Sequence, residues 1–200
     1  TYSGLCRYDG NDLTSWDMSN SILKSSRIRS LRLIGDMLYV GTENGGLTIY
    51  DTERDKFVRT ISVSGNCVNA IFPSADSSSI WLCTNDGVSM MRTDDEGYSL
   101  TSWQLGSVCL SGCSVGGEII VGTSAGIGVF NGEEGLRYIR RGVFATSMMA
   151  LSDDKILITA YEGTYVYNIE AGEFSLINLF DSRSSCQDGD GGFYVGTAEN

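Results

Sequence analysis

Apolar residues along this chain come in short, dense runs separated by glycine, asparagine and acidic residues, and the runs recur. Five of them share one pattern: Leu38-Tyr39-Val40-Gly41-Thr42, Ile80-Trp81-Leu82-Cys83-Thr84, Ile119-Ile120-Val121-Gly122-Thr123, Ile156-Leu157-Ile158-Thr159-Ala160 and Phe193-Tyr194-Val195-Gly196-Thr197. Gly46, Gly87, Gly126 and Gly163 follow the first four, each opening another short extended run. Thr1-Tyr2-Ser3-Gly4-Leu5 reads as the tail of a further copy, which makes the steps between copies 41, 42, 39, 37 and 37 residues. Such self-similarity in β-rich sequence predicts small sheets stacked radially or in line.

Within one period the pattern predicts four strands. Residues 28–34 are extended and turn at Gly35-Asp36; residues 37–41 form a second strand; Glu43-Asn44-Gly45-Gly46 is a hairpin turn; residues 47–50 and 56–62 follow. The next units predict strands at 68–72, 80–83, 88–91 and 98–103, then 108–114, 118–122, 128–131 and 136–140, then 147–151, 155–159, 164–168 and 173–178. Connections this short make each unit an antiparallel meander. No helical period is sustained. The second strand of each unit is apolar on successive residues, as a strand covered on both faces requires. The fourth carries isolated aromatics and charges, as a solvent-facing edge would. The fold class expected is therefore all-β, a β-propeller of four-stranded antiparallel blades.

The boundaries read as blades at 28–66, 67–106, 107–144 and 145–182, with partial blades at 1–27 and 183–200, five blade equivalents in all. The chain begins and stops inside a motif, so the leading expectation is a segment of a larger ring of about seven blades. The alternative is a five-bladed ring closed on itself, with residues 1–20 supplying strands three and four of the blade to which residues 184–197 supply strands one and two.

Composition narrows the chemistry. A net charge of −11 disfavours nucleic acid, which selects clustered Lys and Arg. No apolar run reaches the length of a membrane span. The chain has no histidine, which removes Ser-His and Cys-His catalysis and zinc spacing. Its six cysteines form no Cys-x-x-Cys pair and read as structural thiols, although disulfides between units stay open. Cys109 and Cys113 are four apart in an extended segment, roughly 13 Å at about 3.3 Å per residue, too far to bridge. The acidic pairs Asp94-Asp95, Glu133-Glu134 and Asp153-Asp154 fall in predicted turns and read as solvated. Asp188-Gly189-Asp190-Gly191-Gly192 has the Asp-x-Asp start of a calcium loop but lacks the later ligands and aligns with a turn of the repeat. No metal site and no cofactor is expected.

The runs Val68 to Phe72 and Ser79 to Val88, Met37 to Thr42 with Gly46 to Asp51, and Gly4-Leu5-Cys6-Arg7-Tyr8-Asp9 resemble the two-component regulator propeller repeat. That pattern is an apolar strand, a turn, Leu-Trp-Ile-Gly-Thr, a short turn, Gly-Leu and an aromatic-Asp ending. Cys83 for glycine, Thr159-Ala160 for Gly-Thr, and tryptophan only at Trp81 depart from it. The resemblance implies an extracytoplasmic, periplasmic part of a hybrid two-component histidine kinase of the kind by which gut bacteria detect polysaccharide fragments. It implies as partners an oligosaccharide ligand, the rest of the same sensor chain and a homodimer made through that sensor, with the membrane reached only through other segments. It implies no catalysis by this segment. A protein-interaction scaffold without a small ligand is the alternative, and a propeller lyase or glycosidase a third reading.

In a propeller the turns after strand two share one face with the connections between blades. On that face the sequence places Asn44, Asn85, Asp86, Arg140, Arg141, Tyr161, Glu162 and Arg183 as candidate ligand residues. Aromatic faces can stack on a sugar while amides and charges fix its hydroxyls. Arg140-Arg141, a cationic pair in an acidic chain, would suit a uronate or sulfate.

Overall fold

The computed structural model describes residues 2–94 and 97–198; Thr1, the Asp95 of one acidic pair, Glu96, Glu199 and Asn200 lie outside them. Strands β1 (Leu5–Tyr8) and β2 (Leu13–Trp16) form a half-blade. Four complete blades follow: β3 (Ile28–Ile34), β4 (Met37–Thr42), β5 (Leu47–Asp51) and β6 (Lys56–Ile61); β7 (Val68–Pro73), β8 (Ile80–Thr84), β9 (Gly87–Asp94) and β10 (Gly97–Gln104); β11 (Cys109–Val115), β12 (Glu118–Thr123), β13 (Gly126–Asn131) and β14 (Gly135–Arg141); β15 (Ala145–Ala150), β16 (Lys155–Ala160), β17 (Gly163–Asn168) and β18 (Glu173–Asn178). A second half-blade, β19 (Ser182–Gln187) and β20 (Phe193–Thr197), ends the array. Every pairing is antiparallel between sequence neighbours, so the expected propeller of four-stranded meanders is the observed fold. A self-closed five-bladed ring would join β20 to β1; among the described residues these strands belong to separate two-stranded sheets.

The core lies between blades. Leu5 and Leu23 pack on Ile28 and Val40; Tyr39, Leu47 and Ile61 pack on Val68, Ile71 and Leu82; Phe72, Trp81 and Cys83 pack on Cys109, Val121 and Phe130; Ile120, Ile127 and Val143 pack on Ala145, Ile156 and Ile158. Alternate side chains of a second strand therefore serve opposite interfaces: Ile119 and Val121 face the preceding blade and Ile120 the following one. That is why these strands carry no polar alternation.

The Gly-Thr motif has two separate causes. The threonine hydroxyl closes the turn after strand two: Thr42 Oγ1 donates to Gly46 O at 2.9 Å, Thr84 to Gly87 O at 3.2 Å and Thr123 to Gly126 O at 3.0 Å. The glycine answers a serine. Gly41, Gly122 and Gly196 pair across the ladder with Ser30, Ser111 and Ser184, and a Cβ on Gly122 would lie 2.5 Å from Ser111 Oγ and 2.8 Å from Ala145 Cβ. Where the motif carries a side chain instead, the facing residue is Ala70 against Cys83 or Ser147 against Thr159.

Ser30 and Ser111 belong to a belt that runs around the axis. Each inner strand has a β-bulge near its start, at Arg29, Asn69, Leu110, Thr146 and Arg183. At four successive interfaces a side chain on or beside the bulge reaches the carbonyl that opens the next inner strand. Ser30 Oγ donates to Val68 O at 2.9 Å, Asn69 Nδ2 to Cys109 O at 2.8 Å, Ser111 Oγ to Ala145 O at 2.9 Å and Thr146 Oγ1 to Ser182 O at 2.7 Å. The donor alternates by a simple rule. Opposite a glycine it is the serine after the bulge; opposite Cys83 or Thr159 it is the bulge residue itself.

Candidate functional site

A bulge adds one residue to a strand and turns its side chain out of the ladder. Because the five bulges occupy the same place in five inner strands, their side chains meet at one end of the axis. A cavity of about 250 Å³ opens there, lined by Arg29, Asn69, Leu110, Thr146 and Arg183 together with Phe144, Ala145 and Tyr161. The β14–β15 connection brings in Phe144 and the turn after β16 brings in Tyr161. Their rings lie 6.3 Å apart, inclined at 42°. Hydrogen bonds tie the turns after strand two to the blade connections, as in Gly46 N to Asn66 O (3.2 Å) and Leu105 N to Asp86 O (2.9 Å), so both belong to this face.

The two guanidinium groups of the cavity are oriented before any ligand arrives. Arg29 Nε donates to Glu43 Oε2 at 3.1 Å, and Arg27 reaches the other oxygen of Glu43 at the same distance. Arg183 Nη2 donates to Asp181 Oδ2 at 2.6 Å while its guanidinium lies 4.3 Å from the centroid of the Tyr161 ring. Asp181 Oδ1 is buried without a hydrogen-bond partner. Each arginine thus has one carboxylate beside it and N–H groups to spare. The cavity offers spare donors from two guanidiniums beside two aromatic faces, while the Asn69 amide hydrogens are given to Cys109 O and Asn85 Oδ1 and the Thr146 hydroxyl to Ser182 O. It is suited to hold a polar ligand with apolar faces, and it has no nucleophile-and-base pair.

Of the residues singled out in the sequence, Tyr161 and Arg183 line the cavity. Glu162 stands next to it, its Oε2 accepting the Phe144 N–H at 3.3 Å. Arg140 and Arg141 are split: Arg140 lies over Tyr165 and Phe174 of the next blade (5.6 and 5.2 Å), whereas Arg141 folds over Tyr138 of its own blade at 4.2 Å. Asn44 adopts a left-handed backbone (φ 62°), and its carbonyl accepts from Asn66 Nδ2 at 2.8 Å. Asp86 accepts from Ser64 Oγ at 2.8 Å and, with Asn85, borders another cavity of about 450 Å³ beside Ser107 and Ser124. Arg29, Asn69, Leu110, Phe144 and Thr146 were not legible as site residues. For Arg29, Asn69, Leu110 and Thr146 the shared signal is positional, one residue after the residue that opens each inner strand; Phe144 immediately precedes such a residue.

At the opposite end of the axis Phe72, Pro73, Cys113, Met148 and Met149 border a second cavity of about 250 Å³, rimmed by Arg32. Burial pushes the Cys113 thiol up to about 12, so it stays protonated there. The Asp188 loop is a turn: Asp188 Oδ1 accepts the N–H groups of Asp190 and Gly192 at 2.8 and 2.9 Å. Among the described residues no cluster of three or more His, Cys, Asp or Glu side chains could hold a metal ion.

No protein-family model and no curated relative matches the chain. Solved structures do resemble it. The extracellular domain of Bacteroides thetaiotaomicron BT4673, assigned to a one component system, superposes over 98% of this chain with a TM-score of 0.77 at 20% identity. The extracellular domain of BT3049, assigned to a hybrid two component system of the same organism, does so over 98% with a TM-score of 0.56 at 18% identity. PorZ, a surface component of the type-IX secretion system of Porphyromonas gingivalis, does so over 98% with 0.74 at 12% identity. The chain spans only 28%, 36% and 35% of these proteins. The neighbours include extracellular domains of the kind of system that the repeat pattern resembles, and at these identities the likeness establishes the fold, a β-propeller.

Proposed function

We propose that this chain is a non-catalytic, ligand-binding propeller segment of an extracytoplasmic sensor region, and that it takes a carbohydrate end group in the axial cavity. The observation that carries the reading is the convergence of five equivalent bulges on one cavity, with arginine at two of them and two aromatic rings on its rim. A sugar ring presents C–H faces that stack on Tyr161 or Phe144, and hydroxyls that the preorganised Arg29 and Arg183 can bind. Two belt donors, Asn69 and Thr146, also line the cavity. A ligand that draws on them changes the hydrogen bonds between blades, a direct route from occupancy to blade packing. On this reading the segment is periplasmic, and kinase activity and membrane passage belong to other parts of a longer sensor chain that acts as a homodimer.

A thermal-shift panel of neutral and acidic oligosaccharides tests the reading. A ligand present at one hundred times its Kd adds about 2.7 kcal/mol to stability, and that rise should disappear in Arg183→Ala and Tyr161→Ala. No response to any sugar would favour the protein-scaffold alternative. That alternative has one observation of its own, the exposed apolar side chains of Leu176 and Ile177 in β18 and of Leu179 and Phe180 in the connection that follows it.

A further inference from the structure

Two departures from the repeat meet at a single interface. Cys83 stands where Gly41, Gly122 and Gly196 stand in other copies, and Cys109 stands where Ile28, Val68, Ala145 and Ser182 open the other inner strands. The repeat itself shows how close these two positions come. One interface further on, a Cβ placed on Gly122 would lie 2.8 Å from Ala145 Cβ, and one interface back a Cβ on Gly41 would lie 2.8 Å from Val68 Cγ1. A disulfide needs its Cβ atoms about 3.5–4.5 Å apart. The register therefore brings this pair of positions to bridging range once the side chain at the motif position is accommodated, as it is where Ala70 faces Cys83.

The side chains agree with the register. Cys83 on β8 and Cys109 on β11 are fully buried in one apolar cluster with Phe72, Trp81 and Phe130. Both thiols are directed at the same carbonyl, Ser111 O, at 3.3 and 3.8 Å. The other four cysteines are placed differently. Cys6 and Cys186 are exposed, Cys67 donates to Asn69 Oδ1 at 3.3 Å, and Cys113 packs in the next interface.

We propose that Cys83 and Cys109, reduced in this structure, are the site of a disulfide that staples the second complete blade to the third. In the reaction the two thiols give up two protons and two electrons as the Sγ–Sγ bond forms. A disulfide oxidant such as glutathione disulfide takes them up, its own S–S bond breaking to two thiols. Burial, and then the adjoining Cys109 thiol, raise the Cys83 thiol well above its ordinary range. The folded dithiol is thus shielded from attack, and the bond forms while the chain folds rather than afterwards.

The test is refolding from denaturant in a glutathione redox buffer, followed by alkylation under denaturing conditions and peptide fragmentation by mass spectrometry. The expected result is a cross-link between Cys83 and Cys109 with the other four cysteines alkylated, no such cross-link in Cys83→Ser or Cys109→Ser, and a Tm about 5–10 °C above that of the reduced protein. The Tm difference should vanish in the Cys83→Ala/Cys109→Ala double variant. Six alkylated cysteines after oxidative refolding, or a cross-link through any other pair, would overturn the proposal. No ligand enters this experiment, so its outcome is independent of the binding reading.

Discussion

Around Gly122 the Ser111 hydroxyl fills the volume that a side chain would need and spends its proton on the next blade's Ala145 carbonyl. One serine thus packs and bonds at once. Ser111→Ala should cost about 1–3 kcal/mol in urea unfolding, because it strands a buried acceptor. Gly122→Ala should cost a similar amount by overpacking, about 1–3 kcal/mol. The two changes should combine to less than their sum by at least about 0.5 kcal/mol, since the first removes an atom that the second would strike. The pairing of Ala70 with Cys83 is the chain's own version of that double change. Sequence showed the glycine. It did not show the serine, because the partner is fixed by a bulged register that no local pattern encodes.

Acid sensitivity is another residue-scale consequence. Asp76 accepts from Ser74 Oγ, Ser78 N and Ser78 Oγ in the turn between β7 and β8, and these bonds hold its carboxyl at about 2. Its folded value lies below its unfolded one, so its contribution to stability is present above about pH 4 and is lost as pH falls toward 2. In a Tm series from pH 5 to 2, Asp76→Asn should shallow the acid limb of the curve. An unchanged limb would show that the turn does not matter to folding.

Among elements, blade-to-blade contact is made by aromatic locks as well as aliphatic strands. Trp103 stacks on Trp81 (5.7 Å, 21°), meets the Phe130 edge at 5.3 Å in the next blade and donates from Nε1 to Gly132 O at 3.1 Å. Trp16 makes the matching contact with Tyr50 and Phe57 two interfaces earlier in the array. Phe130→Ala should therefore lower stability by about 3–5 kcal/mol. Strand β20 shows what the sandwiching contributes. Tyr39 and Tyr194 hold the same place in the motif, yet Tyr39 is 7% exposed and Tyr194 67%. Amide hydrogen exchange in residues 193–197 should thus be faster than in the matching residues 38–42, 80–84 and 119–123. Strand number, order and burial of the second strands were legible because a two-sided core leaves continuous apolar runs. The bulges were not, since one extra residue in a short strand leaves the apolar pattern unchanged.

For the whole molecule, regular repetition makes a site out of positions that are unremarkable singly. Arg29, Asn69, Leu110, Thr146 and Arg183 lie 36 or more residues apart in the chain, and only the ring brings them together. Tyr161 and Arg183 were legible because they sit in the turns and connections that a propeller gathers on one face. Arg140 and Arg141 drew notice as a charge pair, but neighbours in a strand point to opposite sides, and each found an aromatic ring of its own. The central claim is that the axial cavity is the ligand site. Hydrogen-exchange mass spectrometry of the protein with and without the strongest oligosaccharide of the panel tests it most directly. The account predicts protection concentrated in residues 28–30, 68–70, 109–111, 144–147, 160–162 and 182–184; protection confined to the outer strands, or none with any sugar, would contradict it.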